Sequence, residues 1–533
     1  MKSQFTTRAG RRLVTSAALL MSMTVSMSAC EREATTVDPD TTTVDVVVED
    51  PAPRWPDEPF RAERPTPKPI KNVTIPKVET FELDNGVEVF LVQQQTLPTV
   101  LMYMEWDLGE VNDPKGKAGM SALCGSLVGE ATKNKDKEAF AAAQDDHAVS
   151  VGLRAGTELT NLSLRALERE LGPALDLAAE MLFEPGMRQT DFDRLKDQRK
   201  AWIEQSKGSA SSISRRIFPS LIWGSKHTYA KIETAASLDK VTLSDCESWV
   251  KRLKPDGARL WVVGKITEAE LRTQFDARFG NWKGKAPKPV KLGTPKPAKA
   301  TIFFVHVPNS AQSEVLIGHP GPARDLPDFE ATQLMAMILG GSFSSRINMN
   351  LREDKGWSYG ARGGFSYNRG GSSFAASSSV RSDVTGPAVL EIAKEIERMR
   401  SAAPTAEELR REQEGALLAM PAEFATATRT LFSMRELDYF SLPLDWHGGH
   451  QERLRAVDTA AIHAAAQAHL QASDQVVLVV GDGAVVLESL EKIAEDAVFG
   501  GGGIQYLDSD GNPITRPDFA QPDPSQPDQP DPK

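Results

Sequence analysis

Two long stretches of this chain read alike at a nearly constant offset, which constrains it to fold as two copies of one unit. Gly172-Pro173-Ala174 opens a helical pattern, and Gly386-Pro387-Ala388 opens another. Thr190 begins an acidic helix start, as does Thr405. Val241 precedes a helix ending at Leu253, and Val457 precedes one ending at Leu470. The buried-strand pattern Trp261-Val262-Val263-Gly264 returns as Leu478-Val479-Val480-Gly481. The offset stays between 214 and 217 residues, and it also pairs residues 119–125 (GMSALCG) with 334–340 (LMAMILG). Matches in order at one spacing mark an internal repeat. Each copy runs strands, helices, strand, helix. That predicts an α+β class with two homologous domains, each a mainly antiparallel sheet packed with helices.

The boundaries follow from changes of character along the 533 residues. Lys2, Arg8, Arg11 and Arg12 precede an apolar run at 13–25, and small residues follow as far as Cys30. The run falls short of the ~20 residues needed to cross a bilayer, so residues 1–29 are expected to be an export signal. Met27-Ser28-Ala29-Cys30 resembles a bacterial lipobox, which implies a lipidated Cys30 at the mature N-terminus; ordinary cleavage near Ala29 is the alternative. The acyl chains would hold the protein at a membrane surface of the bacterial cell envelope, and Glu31 favours the outer membrane. Residues 30–72, rich in Thr, Asp, Pro and Glu, read as a disordered tether. Order is expected from residue 73: Asp84-Asn85-Gly86 supplies the positive φ of a tight hairpin between two strands, and a third strand covers 100–108. The first domain spans 73–282. Residues 283–299 (KGKAPKPVKLGTPKPAK) lack apolar periodicity and form a linker, the second domain spans 300–498, and 499–533 is a flexible tail.

The net charge of −11 speaks against a nucleic-acid surface, which needs clustered Lys and Arg. Cys124 and Cys246 sit among apolar neighbours in helical patterns and read as buried free thiols, with no disulfide holding the protein together.

The duplicated unit, opening with strand-Asn-Gly-strand, resembles the insulinase/pitrilysin family of metallopeptidases, which includes the mitochondrial processing peptidases. The resemblance covers residues 78 to about 510 and is most specific at Leu339-Gly340-Gly341-Ser342-Phe343-Ser344-Ser345-Arg346 and Asn350-Leu351-Arg352-Glu353-Asp354-Lys355-Gly356-Trp357-Ser358-Tyr359-Gly360. The family's first domain carries H-x-x-E-H on its opening helix: two histidines on one face bind Zn²⁺ and the glutamate is the general base. Here Ala122 and Ser126 stand at the histidine positions and Gly125 at the base position. None can do the chemistry, so no catalytic residue, metal or cofactor is expected in this chain. The family's third ligand, a later glutamate, falls near Glu204-Gln205-Ser206. The resemblance further implies that Arg352 and Tyr359 hold the substrate backbone. It points to a non-catalytic, substrate-positioning subunit of an envelope zinc peptidase complex, a heterodimer whose partner subunit carries the zinc and whose substrates are unfolded peptides. The alternative is a lipoprotein scaffold or peptide-binding module with no peptidase partner.

Other histidines carry less. His447-Gly448-Gly449-His450 suggests a turn on a surface loop, and His147 follows Asp145 and Asp146 at a helix end leading into a strand. His463 and His469, six apart, do not share a helical face. Gly340-Gly341-Ser342 lacks the lysine of a phosphate loop and reads as a helix C-cap followed by a Ser N-cap.

Overall fold

The structure, a computed structural model, describes residues 58–62, 72–299, 301–471 and 475–517. The leader, Cys30, most of the tether and the end of the tail lie outside the described residues. Pro59–Arg61 form a single 3₁₀ turn and belong to a different compact unit from the main body, whose described residues begin at 72 and end at 517.

The body holds two sheets. The first is built from β1 (Glu79–Glu82), β2 (Glu88–Gln93), β3 (Thr99–Trp106), β4 (Ser150–Ala155), β5 (Thr160–Leu167) and β6 (Arg259–Gly264). The second uses β7 (Thr301–His306), β8 (Gln312–Gly321), β9 (Ser358–Asn368), β10 (Gly371–Arg381), β11 (Val476–Gly481), β12 (Ile504–Leu507) and β13 (Pro513–Ile514). The orders are β1-β2-β6-β3-β5-β4 and β13-β12-β7-β11-β8-β10-β9. Five strands of each sheet therefore share one topology: β2-β6-β3-β5-β4 maps onto β7-β11-β8-β10-β9. Within each five, one pair is parallel, β2 with β6 and β7 with β11, and the rest are antiparallel. The internal repeat is thus a repeat of topology.

Sixteen helices surround the sheets among the described residues. The first half has α1 (Met120–Glu130), α2 (Lys137–Asp146), α3 (Leu171–Phe183), α4 (Gln189–Ser206), α5 (Ala210–Trp223), α6 (Ala235–Asp239), α7 (Leu243–Val250) and α8 (Glu268–Phe279). The second has α9 (Phe329–Ala336), α10 (Arg346–Asn348), α11 (Thr385–Ser401), α12 (Ala406–Ala419), α13 (Ala427–Tyr439), α14 (Trp446–Ala456), α15 (Thr459–His469) and α16 (Gly483–Glu495). Their starts follow from local chemistry. Thr242, Thr267 and Thr405 cap α7, α8 and α12 in reciprocal capping boxes with Asp245, Glu270 and Glu408. At the first hairpin Gly86 has φ 86°, and Asn85 folds inward to donate to the Phe279 carbonyl at 3.1 Å.

One core lies on the helix side of each sheet. Two further cores lie on the opposite faces, and each is closed by a helix from the other half. Ile213, Ile217, Leu221 and Ile222 of α5 pack with Phe303, Val305, Leu478 and Val480 of the second sheet. Leu431, Met434 and Leu437 of α13 pack with Phe90, Val92, Trp261 and Val263 of the first. Helices α5 and α13 are themselves repeat equivalents, so the halves exchange corresponding helices.

Two expectations are corrected. Residues 504–514 do not belong to a flexible tail: β12 adds to β7 in parallel and pairs with β13, and Leu507 is buried. Arg216 of α5 donates to Ser509 and Asp510 in the turn between them. Cys124 and Cys246 are not free thiols but form a disulfide, because α1 and α7 pack side by side with the two Cα atoms 4.9 Å apart. Sequence separation of 122 residues hid that proximity. Closing so long a loop removes much chain entropy from the unfolded state, so Cys246→Ser should lower the unfolding free energy by about 4–5 kcal/mol. Equilibrium urea unfolding of the variant beside the wild type measures this; equal midpoints would show that the bridge contributes nothing.

Candidate functional site

The first half presents the helix on which the family resemblance places a metal. Helix α1 is fixed at its start and on both flanks. The buried Asp113 carboxylate accepts from the backbone N–H of Gly119 and Ser121 at 3.0 Å each and from the Ser121 hydroxyl, covering the exposed amides of its first turn. The Cys124 bridge ties its middle to α7. On the sheet side, Gly125 and Gly129 bring the helix against β4 with no room for a side chain. A Cβ at 125 would stand 2.8 Å from the Ala155 nitrogen, and one at 129 would stand 2.7 Å from the Leu153 carbonyl oxygen.

The remaining face of α1 opens on a groove of about 350 Å³ formed with α4. Leu123 and Ser126 line one side, and Leu195, Gln198, Arg199 and Trp202 line the other, an i, i+3, i+4, i+7 face of one helix. This groove does not fit a zinc ion. Ala122 and Gly125 have no donor atom, and Ser126 turns its hydroxyl onto the Ala122 carbonyl at 2.9 Å. The opposing helix contributes a guanidinium, which Glu233 already holds in a two-point ion pair. Glu204 does not supply a ligand either: it lies off that face, 57% exposed, and pairs with Lys207 at 2.9 Å. Among the described residues no group of three or more His, Cys, Asp or Glu side chains is placed to hold a metal.

The second half places Arg352 and Tyr359 on one continuous segment. Arg352 lies in the π-helical turn Met349–Asp354, and Tyr359 is the second residue of β9. The Arg352 guanidinium lies 4.7 Å from the exposed ring of Phe343 and 3.3 Å from Glu353. Tyr359 is 89% exposed. Neither is brought against the α1–α4 groove within this chain. The motif around them turns out to be mostly bracing, which sequence reasoning missed. Gly340 sits against β9, where a Cβ would stand 2.3 Å from the Gly363 nitrogen. Ser342 donates to Glu412 at 2.9 Å, so it is not an N-cap, and 337–341 is a π-helical turn. Buried Arg346 forks onto Glu408 at 2.7 and 2.9 Å, and Asn348 bridges the Phe343 carbonyl and the Ala361 N–H. The fixed polar types in the motif were the available signal.

His447 and His450 are not on a surface loop: both are buried on α14, Gly448 and Gly449 included in the helix. His450 meets Glu330 at 2.9 Å, and Glu330 also accepts from Arg453 at 2.7 Å. His447 contacts Ser433, and burial pushes its imidazole below the ordinary range. His147, at the end of α2, pairs with Glu170 at 3.0 Å. His463 meets the Arg400 carbonyl and His469 meets Asp328, so the two do not act together.

Comparison with known proteins bears on both halves. Residues 88–232 match the family model described as insulinase (peptidase family M16), and residues 240–416 match that of the peptidase M16 inactive domain. A non-peptidase homolog, YmxG, of Helicobacter pylori is 22% identical over 278 residues, 51% of this chain and 63% of that protein. An uncharacterized zinc protease, YmxG, of Bacillus subtilis is 22% identical over 288 residues, covering 53% and 68%. The alignment thus spans less than two thirds of the first relative's length. Among solved structures, a peptidase M16 inactive domain from Pseudomonas fluorescens superposes with TM-score 0.71 at 22% identity, over 76% of this chain and 98% of that one. A protease from Helicobacter pylori gives TM-score 0.68 at 17% identity, over 76% and 100%. At these identities the likeness establishes the fold.

The contact at Gly125 can be tested directly. Alanine in a helix interior normally gains about 1 kcal/mol over glycine, but here Gly125→Ala should instead destabilise by about 1–3 kcal/mol through overpacking against β4. A stabilised variant in urea unfolding would refute the close approach. The Arg346–Glu408 brace carries a pH signature. Burial would raise the Glu408 pKa, but the Arg346 guanidinium and the Thr405 N–H outweigh it and hold the carboxyl at about 2, against 4.5 unperturbed. A lowered carboxylate pKa stabilises fully above the unfolded value and is lost as pH falls through the folded one. Glu408→Gln should therefore be less stable than wild type near neutrality, with the gap narrowing between about pH 4.5 and 2. Thermal midpoints across that range read the effect; a pH-independent gap would contradict it.

Proposed function

We propose that this chain, which belongs to the insulinase family (peptidase family M16) through both of its halves, positions unfolded peptide for a zinc-bearing relative and does not cut peptide itself. One observation carries the reading: the helix on which the family carries its metal is present and firmly braced, yet it offers no donor at 122 or 125 and turns the Ser126 hydroxyl onto its own backbone. What remains is suited to binding. Strand β4 ends its sheet directly beside α1, and a sheet edge presents the N–H and C=O groups to which an extended peptide can add as a further strand. Arg352 and Tyr359 stand open to solvent, able to donate to peptide carbonyls, and the guanidinium fork suits a C-terminal carboxylate better still. Zinc would reside in a second chain with intact H-x-x-E-H, the two chains enclosing a chamber.

The same reading places the chain in the cell envelope. The Cys124–Cys246 bridge belongs with oxidising compartments, in keeping with the basic-apolar leader and a lipidated Cys30.

The reading is tested by recovering the tagged mature protein from its own cells and assaying the eluate for zinc and for cleavage of an unstructured peptide. Zinc and activity should co-elute. Arg352→Ala or Tyr359→Phe should lower cleavage at limiting peptide by roughly ten-fold, as expected for losing one charge-assisted or buried hydrogen bond, while leaving zinc content unchanged. A chain that elutes alone, without zinc or activity, favours the scaffold and ends the subunit reading.

A further inference from the structure

Residues 283–299 carry six lysines, Lys283, Lys285, Lys288, Lys291, Lys296 and Lys299, and no acid. The chain as a whole is at −11, so everything outside this segment sums to −17. All six lysines are exposed. Lys226, also exposed, shares a cavity wall with Lys296. A basic run is most often a solvated face, but this one is built as a strap. Ala286 donates to the Asp256 carbonyl at 2.7 Å near one end, and Lys296 and Ala298 donate to Trp223 and Leu221 at 3.0 and 2.9 Å near the other. Val290, Leu292 and Ala298 turn inward onto the α5 core. Prolines at 287, 289, 295 and 297 favour an extended backbone, and a recurrence of three, as in Lys285, Lys288 and Lys291, keeps side chains on one side of a polyproline-type chain. The apolar residues are fastened down and the ammonium groups all face water.

We propose that this strap docks the body onto an anionic lipid surface, its lysines against phosphate-bearing headgroups. Three features favour lipid over a protein partner. Ammonium groups are hydrated point charges, without the planar fork that reads a defined carboxylate. No large exposed aromatic lies within the strap to anchor a protein interface. The segment is already ordered, so docking does not have to order it. The inference goes beyond the peptide-positioning reading and stands whether or not Cys30 is acylated.

The test uses the full chain with Cys30→Ser, so that no acyl anchor contributes. It is sedimented with phosphatidylcholine vesicles, with and without an anionic phosphatidylglycerol fraction of about 30%. Binding should appear only with the anionic lipid and vanish between about 50 and 500 mM salt. At about five-fold per lysine, the variant Lys285→Gln/Lys288→Gln/Lys291→Gln/Lys296→Gln should lose at least ten-fold in affinity. Its thermal midpoint should match wild type, since the four side chains are exposed. A folded variant that binds as well as wild type would overturn the proposal. So would equal binding to neutral vesicles, or a wild-type chain that ignores anionic vesicles at low salt while binding soluble polyglutamate. Because peptide cleavage plays no part in the assay, failure here leaves the positioning reading untouched, and the converse also holds.

Discussion

The body depends on a reciprocal exchange between its halves. Helix α5 of the first lies on the second sheet, and its repeat equivalent α13 lies on the first. A sheet with only one covered face would leave Phe90, Val92, Trp261 and Val263 in water, and each such side chain is worth roughly 1.5–3 kcal/mol when buried. Neither half can cover both faces of its own sheet. The exchange explains why β6 reads Leu-Trp-Val-Val and β11 reads Val-Val-Leu-Val-Val, runs without alternation: strands covered on both sides have no polar face to show. It also makes the two halves one thermodynamic object, so the second half's Arg352 and Tyr359 are held in a fixed relation to the first half's α1.

A buried polar node sets the register that apolar packing alone leaves loose. Arg369, in the turn between β9 and β10, reaches across to Asp107 beside β3, where Arg259 also forks onto the same carboxylate at 3.0 and 3.1 Å. Burial works to raise the Asp107 pKa, but the two guanidinia outweigh it and hold the carboxylate charged. Glu158 accepts from Tyr229 and Tyr439, one tyrosine from each half, and burial raises the pKa of both phenols so that they stay donors. Such a network adds little net stability over an apolar filling, yet leaving any member unpaired is expensive. Its effect is to admit one docking of the β9–β10 hairpin against the first half.

The sequence showed the duplication because both copies keep the same punctuation, Gly-Pro at a helix start and a buried strand ending in Gly, although of the paired threonines only Thr405 caps its helix while Thr190 lies inside α4. It did not show the helix exchange, since the faces of α5 and α13 look like ordinary amphipathic faces and the periodicity does not say whose sheet they meet. The disulfide was hidden for a similar reason, as spacing along the chain carries no information about α1 lying on α7. Two glycines made 447–450 look like a turn. The helix persists there because Trp446 stacks on His450 at 4.5 Å and Glu330 anchors His450 and Arg453, tertiary contacts that override local preference. Glu204 was placed near the lost ligand set by counting residues. A shift of two residues turns a helical side chain by about 200°, enough to move it from the groove face, which Trp202 occupies, to the solvent.

The state of α1 links these observations to function. If zinc had been what fixed this helix, losing its ligands would have left the helix loose and the neighbouring strand edge undefined. Instead α1 is held by the Asp113 cap at its start, by the bridge to α7, and by the glycine contacts onto β4. None of these uses the groove face. The glycine at 125 offers no donor atom, and it lets the helix close on β4 more tightly than any side chain there would permit. Chemistry and framework are therefore separable in this fold. Ala122 and Gly125 supply no donor atoms, while the helix, its strand edge and the second half's exposed arginine and tyrosine are held in place by interactions that do not involve a metal.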